Sequence, residues 1–106
     1  MKTFEEYQTA TKKTAIYDKD VAITYLALGL TSEAGEVAGK IKKWIRGDVD
    51  RVDSEDIAKE LGDVLWYISQ MASTFNLSLE DIAQSNVDKL ASRMQRDQIK
   101  GDGDNR

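Results

Sequence analysis

A chain of 106 residues with 41% apolar content can build one modest core, and its 19 acidic and 15 basic side chains give a net charge of −4. No block of like charge dominates, which argues against a partner that is a nucleic-acid polymer. The absence of Cys and His removes thiolate nucleophiles, disulfides, soft-metal sites and imidazole bases, so any metal must be held by oxygen.

The first helix is expected over about Thr3 to Ile16, with a weak stripe of Phe4, Tyr7, Thr11 and Ala15. The apolar run Val21 to Leu30, broken by Thr24, is too short to span a membrane, and the N-terminus shows no signal-peptide pattern, so a cytoplasmic location and no membrane partner are expected. A second, unusually long helix should begin near Asp18 or Asp20 and reach about Ile45, where Gly47 can cap it. Its stripe is Leu26, Leu30, Val37, Ile41 and Trp44, which makes Trp44 a core residue. Asp53 or Ser54 can cap a third helix running to about Phe75, with Ile57, Leu61, Val64, Ile68 and Met71 inward and Trp66 on the far side as a subunit contact. Asn76 suits the C-terminal turn of that helix.

Ser78 and Asp81 resemble a capping box for a fourth helix, striped by Leu79, Ala83, Val87, Leu90 and Met94. With no proline anywhere, the reading is all-α: an antiparallel four-helix bundle over residues 1–98, completed by a second copy, followed by a polar tail, 99–106, without fixed structure.

Two tetrads carry the chemistry, Glu33-Ala34-Gly35-Glu36 and Glu60-Leu61-Gly62-Asp63. Acids three positions apart lie about 60° apart around a helix, so each pair shares a face bordering its apolar stripe. Antiparallel packing on those faces could bring four acids into one cleft, an arrangement that a hard divalent cation would stabilise. Mg²⁺, or Mn²⁺, suits such an all-oxygen set, and the reaction class is metal-assisted phosphoanhydride hydrolysis. Glycine before the second acid, costing about 1 kcal/mol in a helix interior, points to a bulky ligand or a close helix approach. The ordinary alternative is surface pairing of Glu36 with Lys40 and of Asp63 with Lys59.

The segments SEAGEVAGKIKKW and KELGDVLWYI, with 23 residues between Glu36 and Glu60, resemble the MazG-like nucleotide pyrophosphohydrolases of the all-α NTP pyrophosphatase superfamily, over about Leu26 to Arg93. The resemblance implies Glu33, Glu36, Glu60 and Asp63 as magnesium ligands and catalytic acids. It also implies a nucleoside triphosphate substrate cleaved to monophosphate and pyrophosphate, a homodimer or homotetramer, and a house-cleaning role in nucleotide metabolism. Asn86, Lys89 and Arg93, on one face of the last helix, would then contact the phosphates. The basic cluster Lys40, Lys42, Lys43 and Arg46 is read mainly as helix-end compensation, with steering of a triphosphate as the alternative. Phosphoribosyl-ATP hydrolysis is the competing enzymatic reading, and a non-catalytic helical interaction module the competing reading of another class.

Overall fold

The computed structural model describes residues 1–96, 101, 103 and 104; of the tail expected from residue 99, positions 99, 100, 102, 105 and 106 lie outside the described residues. The described chain is helical, with α1 at Phe4–Thr11, α2 at Ala22–Arg46, α3 at Ser54–Thr74 and α4 at Leu79–Gln95. Short 3₁₀ turns at Lys12–Thr14 and Lys19–Val21 link α1 to α2.

The boundaries follow from capping chemistry. Thr3 accepts the Glu6 amide at 3.1 Å, Asp53 the Glu55 amide at 2.9 Å, and Ser78 the Asp81 amide at 3.1 Å. Each cap satisfies a donor that a helix start leaves open, contributing about 1 kcal/mol. Gly47 ends α2 at φ 91°, and Asn76 turns the chain after α3 at φ 58°, both in the left-handed region that glycine and asparagine tolerate.

The first helix is shorter than its sequence pattern suggests. After Thr11 the chain tightens into 3₁₀ geometry, with the Ala15 amide bonded to the Lys12 carbonyl and the Thr14 hydroxyl donating to the Thr11 carbonyl. Ile16 then lies outside any helix, 93% exposed. Likewise, α2 proper begins at Ala22, because Asp18 caps the 3₁₀ turn before it.

Within one chain, α2 and α3 form the main packed pair, while α1 packs on α3 and α4, and α4 on α1 and α3. No comparable packing joins α4 to α2 among the described residues. The closed four-helix bundle expected from the pattern is therefore not formed by a single chain. The radius of gyration of 16.7 Å agrees, since a compact chain of this length would give about 13 Å.

The protomer core is thin. Its buried apolar residues are Ala22, Leu26, Ala72 and Leu79. Polar residues bury beside them, and they lock α1 in place. The Gln8 amide nitrogen donates to Ser73 Oγ at 3.0 Å and to the Leu77 carbonyl at 2.9 Å, while its oxygen accepts the Leu79 amide at 2.8 Å. Thr11 and Ser69 share a buried 2.8 Å hydrogen bond.

Several stripe residues expected inside are at the surface. Trp44 is 47% exposed, Leu61 55%, and Val87, Leu90 and Met94 also lie open, with Ile41 at the margin. Amphipathic spacing marks an apolar face without saying that the same chain covers it. Trp66, expected to be exposed on the far side of α3, is more covered than that reading had it. Half-buried, it donates from Nε1 to Thr14 Oγ1 at 2.8 Å and meets Tyr17 and Tyr67 edge-on at 6.2 and 5.0 Å.

Candidate metal centre

The α2–α3 contact is antiparallel: Gly29 faces Tyr67, and four residues along, Glu33 faces Asp63 and Glu60. Carboxylate oxygens of Glu33, Glu60 and Asp63 lie within 4.8 Å of one another, half-buried for the two glutamates and exposed for the aspartate. Three of the four predicted acids thus converge. Glu36 stands outside that group, exposed on the next turn of α2, close enough to act electrostatically on Glu33.

The crowding has an electrostatic consequence. Desolvation, then the charges of Asp63, Glu60 and Glu36, hold the Glu33 carboxyl above its usual range. Lys40 offers partial compensation, its Nζ 4.0 Å from Glu60 Oε1. The surface pairing that would have made these acids ordinary does not form as expected: Lys40 turns across to α3 instead of back to Glu36, and Asp63 has no lysine partner within ion-pair distance among the described residues.

The donors are all carboxylate oxygens, partly desolvated, with one cation at the edge and a net negative charge. That donor chemistry fits a hard divalent ion and suits neither a soft metal nor an imidazole-dependent site.

Tyrosines, missed by a search for charged motifs, line the same region. The Tyr67 hydroxyl is pushed up to about 12, first by a hydrogen bond to Tyr25 that favours its protonated form, then by burial, by Tyr25 and by the negative field of Glu33 and Asp63. Tyr7 is raised by burial and by Asp63. Their signal in the sequence was spacing alone: Tyr67 follows Asp63 by one turn.

The glycines divide. A Cβ at Gly35 or at Gly62 would meet nothing within 4 Å, so a close approach of helices within the chain does not account for either. Gly29, which the motif did not single out, is the one under a ring: a Cβ there would lie 2.5 Å from Tyr67 Cζ and 2.7 Å from Cδ1.

The α4 residues form a separate group. Arg93 is buried at 4% exposure, and its Nη2 donates to the carbonyls of Gly103 and Asp104 and to Asp104 Oδ1 at 3.0 to 3.3 Å, while Nε finds no partner. Lys89 pairs with the same Asp104 carboxylate at 3.0 Å, which holds that carboxyl below its usual range. Asn86 and Lys89 also line an open groove of about 540 Å³ with Asn76, Leu77 and Asp81. Of the basic cluster, Arg46 pairs with Asp48, whereas Lys40 and Lys43 line a cleft of about 240 Å³ with Arg51.

The MazG nucleotide pyrophosphohydrolase domain matches residues 22–96, a span that contains both acid pairs and α4. The chain belongs to the MazG nucleotide pyrophosphohydrolase family. A small MazG-family protein of this kind is similar to the Gene 37 protein of Mycobacterium phage L5, 41% identical over 109 residues that cover 94% of this chain and 96% of the phage protein. It is also similar to the uncharacterized protein YvdC of Bacillus subtilis (strain 168), 31% identical over 75 residues, 62% of this chain and 70% of that protein. No solved structure gives a significant match. No helix of this MazG-family chain is long and apolar enough to cross a membrane, among the described residues.

Proposed function

We propose that the chain hydrolyses nucleoside triphosphates, ribo- or deoxyribonucleotides, to the monophosphate and pyrophosphate, as a house-cleaning enzyme of cytoplasmic nucleotide pools. The observation that carries the proposal is the convergence of Glu33, Glu60 and Asp63 from two antiparallel helices, within a match to a nucleotide pyrophosphohydrolase family. These three residues would hold Mg²⁺, with Mn²⁺ as a substitute. A divalent ion bound there supplies charge neutralisation for the phosphates and acidifies water.

The side chains then have distinct tasks. Glu36, outside the converged group and solvent-exposed, would join the ligand set when the ion binds or, left unengaged, take the proton of an attacking water. Water oxygen bonds to the α-phosphorus as the bond from that phosphorus to the α–β bridging oxygen breaks, and pyrophosphate leaves. Lys40, at the edge of the acids, and Lys43 face a cleft where departing phosphate oxygens can find cationic donors. Asn86, Lys89 and Arg93 remain phosphate-binding residues in this reading. Because α4 does not pack on α2 in one chain, they would serve a site completed by a second copy.

Assembly is part of the proposal. The exposed apolar residues Val87, Leu90 and Met94 on α4 and Trp44 and Ile45 on α2, together with the extended shape, support a homodimer or homotetramer that closes the bundle. Light scattering after size-exclusion chromatography should give a mass of at least two chains; a monomer at micromolar concentration would contradict it.

The functional test is pyrophosphate release from a panel of NTPs, dNTPs and phosphoribosyl-ATP with Mg²⁺, Mn²⁺ or EDTA, using the wild-type chain and Glu60→Gln. Release from ordinary nucleotides that vanishes with EDTA and in the variant is expected. Turnover of phosphoribosyl-ATP alone would select that relative's activity, and full activity in Glu60→Gln would end the carboxylate mechanism.

A further inference from the structure

We infer that Tyr67 is a positioning residue of the carboxylate centre: its ring, laid on Gly29, fixes the α2–α3 spacing one helical turn from the acids on both helices. The inference rests on the reading of Glu33, Glu60 and Asp63 as a metal-holding group.

Gly29 precedes Glu33 by four residues and Tyr67 follows Asp63 by four, so in an antiparallel pair the Gly29–Tyr67 contact and the carboxylate group are adjacent rungs of one ladder. Gly29 sits in the interior of α2 without a left-handed backbone, so its dihedrals do not call for glycine. The ring does. A Cβ at position 29 would fall inside van der Waals distance of three ring atoms of Tyr67, the farthest of them 2.7 Å away.

The ring has little room to retreat. Trp66 meets it edge-on at 5.0 Å and is itself tied to Thr14 by a 2.8 Å hydrogen bond. Tyr25 lies against it at 6.2 Å, tilted by 44°. A bulkier residue at position 29 must therefore displace α2 or eject the ring. Either movement opens the grouping in which three carboxylates now lie within 4.8 Å. Gly39 is a built-in contrast on the same helix, because a Cβ there meets nothing within 4 Å.

The test is Mn²⁺ affinity, read by electron paramagnetic resonance titration of the full chain, in wild type, Gly29→Ala, Tyr67→Leu, Tyr67→Phe and Gly39→Ala, with circular dichroism to confirm folding. Gly39→Ala and Tyr67→Phe, which keep the ring on Gly29, should bind like wild type. Gly29→Ala and Tyr67→Leu should bind about 10- to 100-fold more weakly, the usual effect of losing a group that orients metal ligands. A folded Gly29→Ala chain with wild-type affinity would overturn the inference, as would Tyr67→Phe binding no better than Tyr67→Leu. If Gly29→Ala does not fold, Tyr67→Leu decides in the same way. Wild type that binds no Mn²⁺ at all would remove the metal reading itself, and the inference with it.

Discussion

Replacing Glu33 with glutamine should make the metal-free chain more stable. Carboxylate oxygens of Glu33, Glu60 and Asp63 lie within 4.8 Å of one another. Two unit charges at that separation repel by about 0.9 kcal/mol even at the dielectric constant of water, and by more where solvent is partly excluded. Neutralising Glu33 relieves its repulsion with both partners, so about 1–2 kcal/mol should be recovered at low salt, less the small loss of its contact with Glu60. For a domain of this size that is a rise in Tm of at least about 4 °C. The pH dependence has a definite sign. Because crowding holds the Glu33 carboxyl above its ordinary value of 4.5, the folded apo chain binds more protons than the unfolded chain just above that value, so wild-type stability falls as pH rises through the window. The variant lacks this contribution.

The assay is differential scanning calorimetry at pH 8 in EDTA, at about 50 mM and about 1 M salt, and again with excess Mg²⁺. The gain should shrink at high salt, where the Debye length falls to about 3 Å. With Mg²⁺ the order should reverse, since wild type gains binding energy that the variant cannot. A metal-free Tm that is unchanged or lower in Glu33→Gln would refute the account of an electrostatically strained, cation-ready cluster.

Other expectations are more local. Gly35→Ala and Gly62→Ala, where a new Cβ meets nothing within 4 Å, should each raise the stability of the isolated chain by about 1 kcal/mol in chemical denaturation; a loss would reveal a neighbour at that surface. Gln8→Ala strips partners from Ser73, Leu77 and Leu79 and should cost about 1–3 kcal/mol, releasing α1 in hydrogen exchange before α3. The Asp104 carboxyl should titrate below the usual value near 3.8 in an NMR pH series, so its pairing with Lys89 and Arg93 persists above that value and is lost as pH falls through its own lower midpoint. Lys89→Ala should return the Asp104 midpoint toward the ordinary range.

The parts of this fold that sequence reveals are those set by local chemistry. Thr3, Asp53, Ser78, Gly47 and Asn76 mark helix ends because capping and left-handed turns depend on one or two residues and their immediate backbone. The acid pairs were legible for the same reason: a spacing of three on a helix fixes a shared face, and Glu33, Glu60 and Asp63 do meet. What spacing does not encode is which neighbour a face receives. Trp44 and Leu61 read as core and lie open, while Gln8 and Ser69, which no apolar stripe includes, are buried, because their partners are polar groups on other segments of the chain. Gly29 stayed hidden because its reason lies 38 positions away, in the ring of Tyr67. Arg93 was visible as a cation on a promising face, but no helical period announces its contact with Asp104, 11 positions on.

The most direct test of the central claim is the identity of the bond cleaved. A single NTP should be incubated with the chain and Mg²⁺ and the products separated by anion exchange, beside an Asp63→Asn control. The account predicts equal amounts of nucleoside monophosphate and pyrophosphate from wild type, with neither from the control. Nucleoside diphosphate and orthophosphate would place the attack at the terminal phosphate and contradict it.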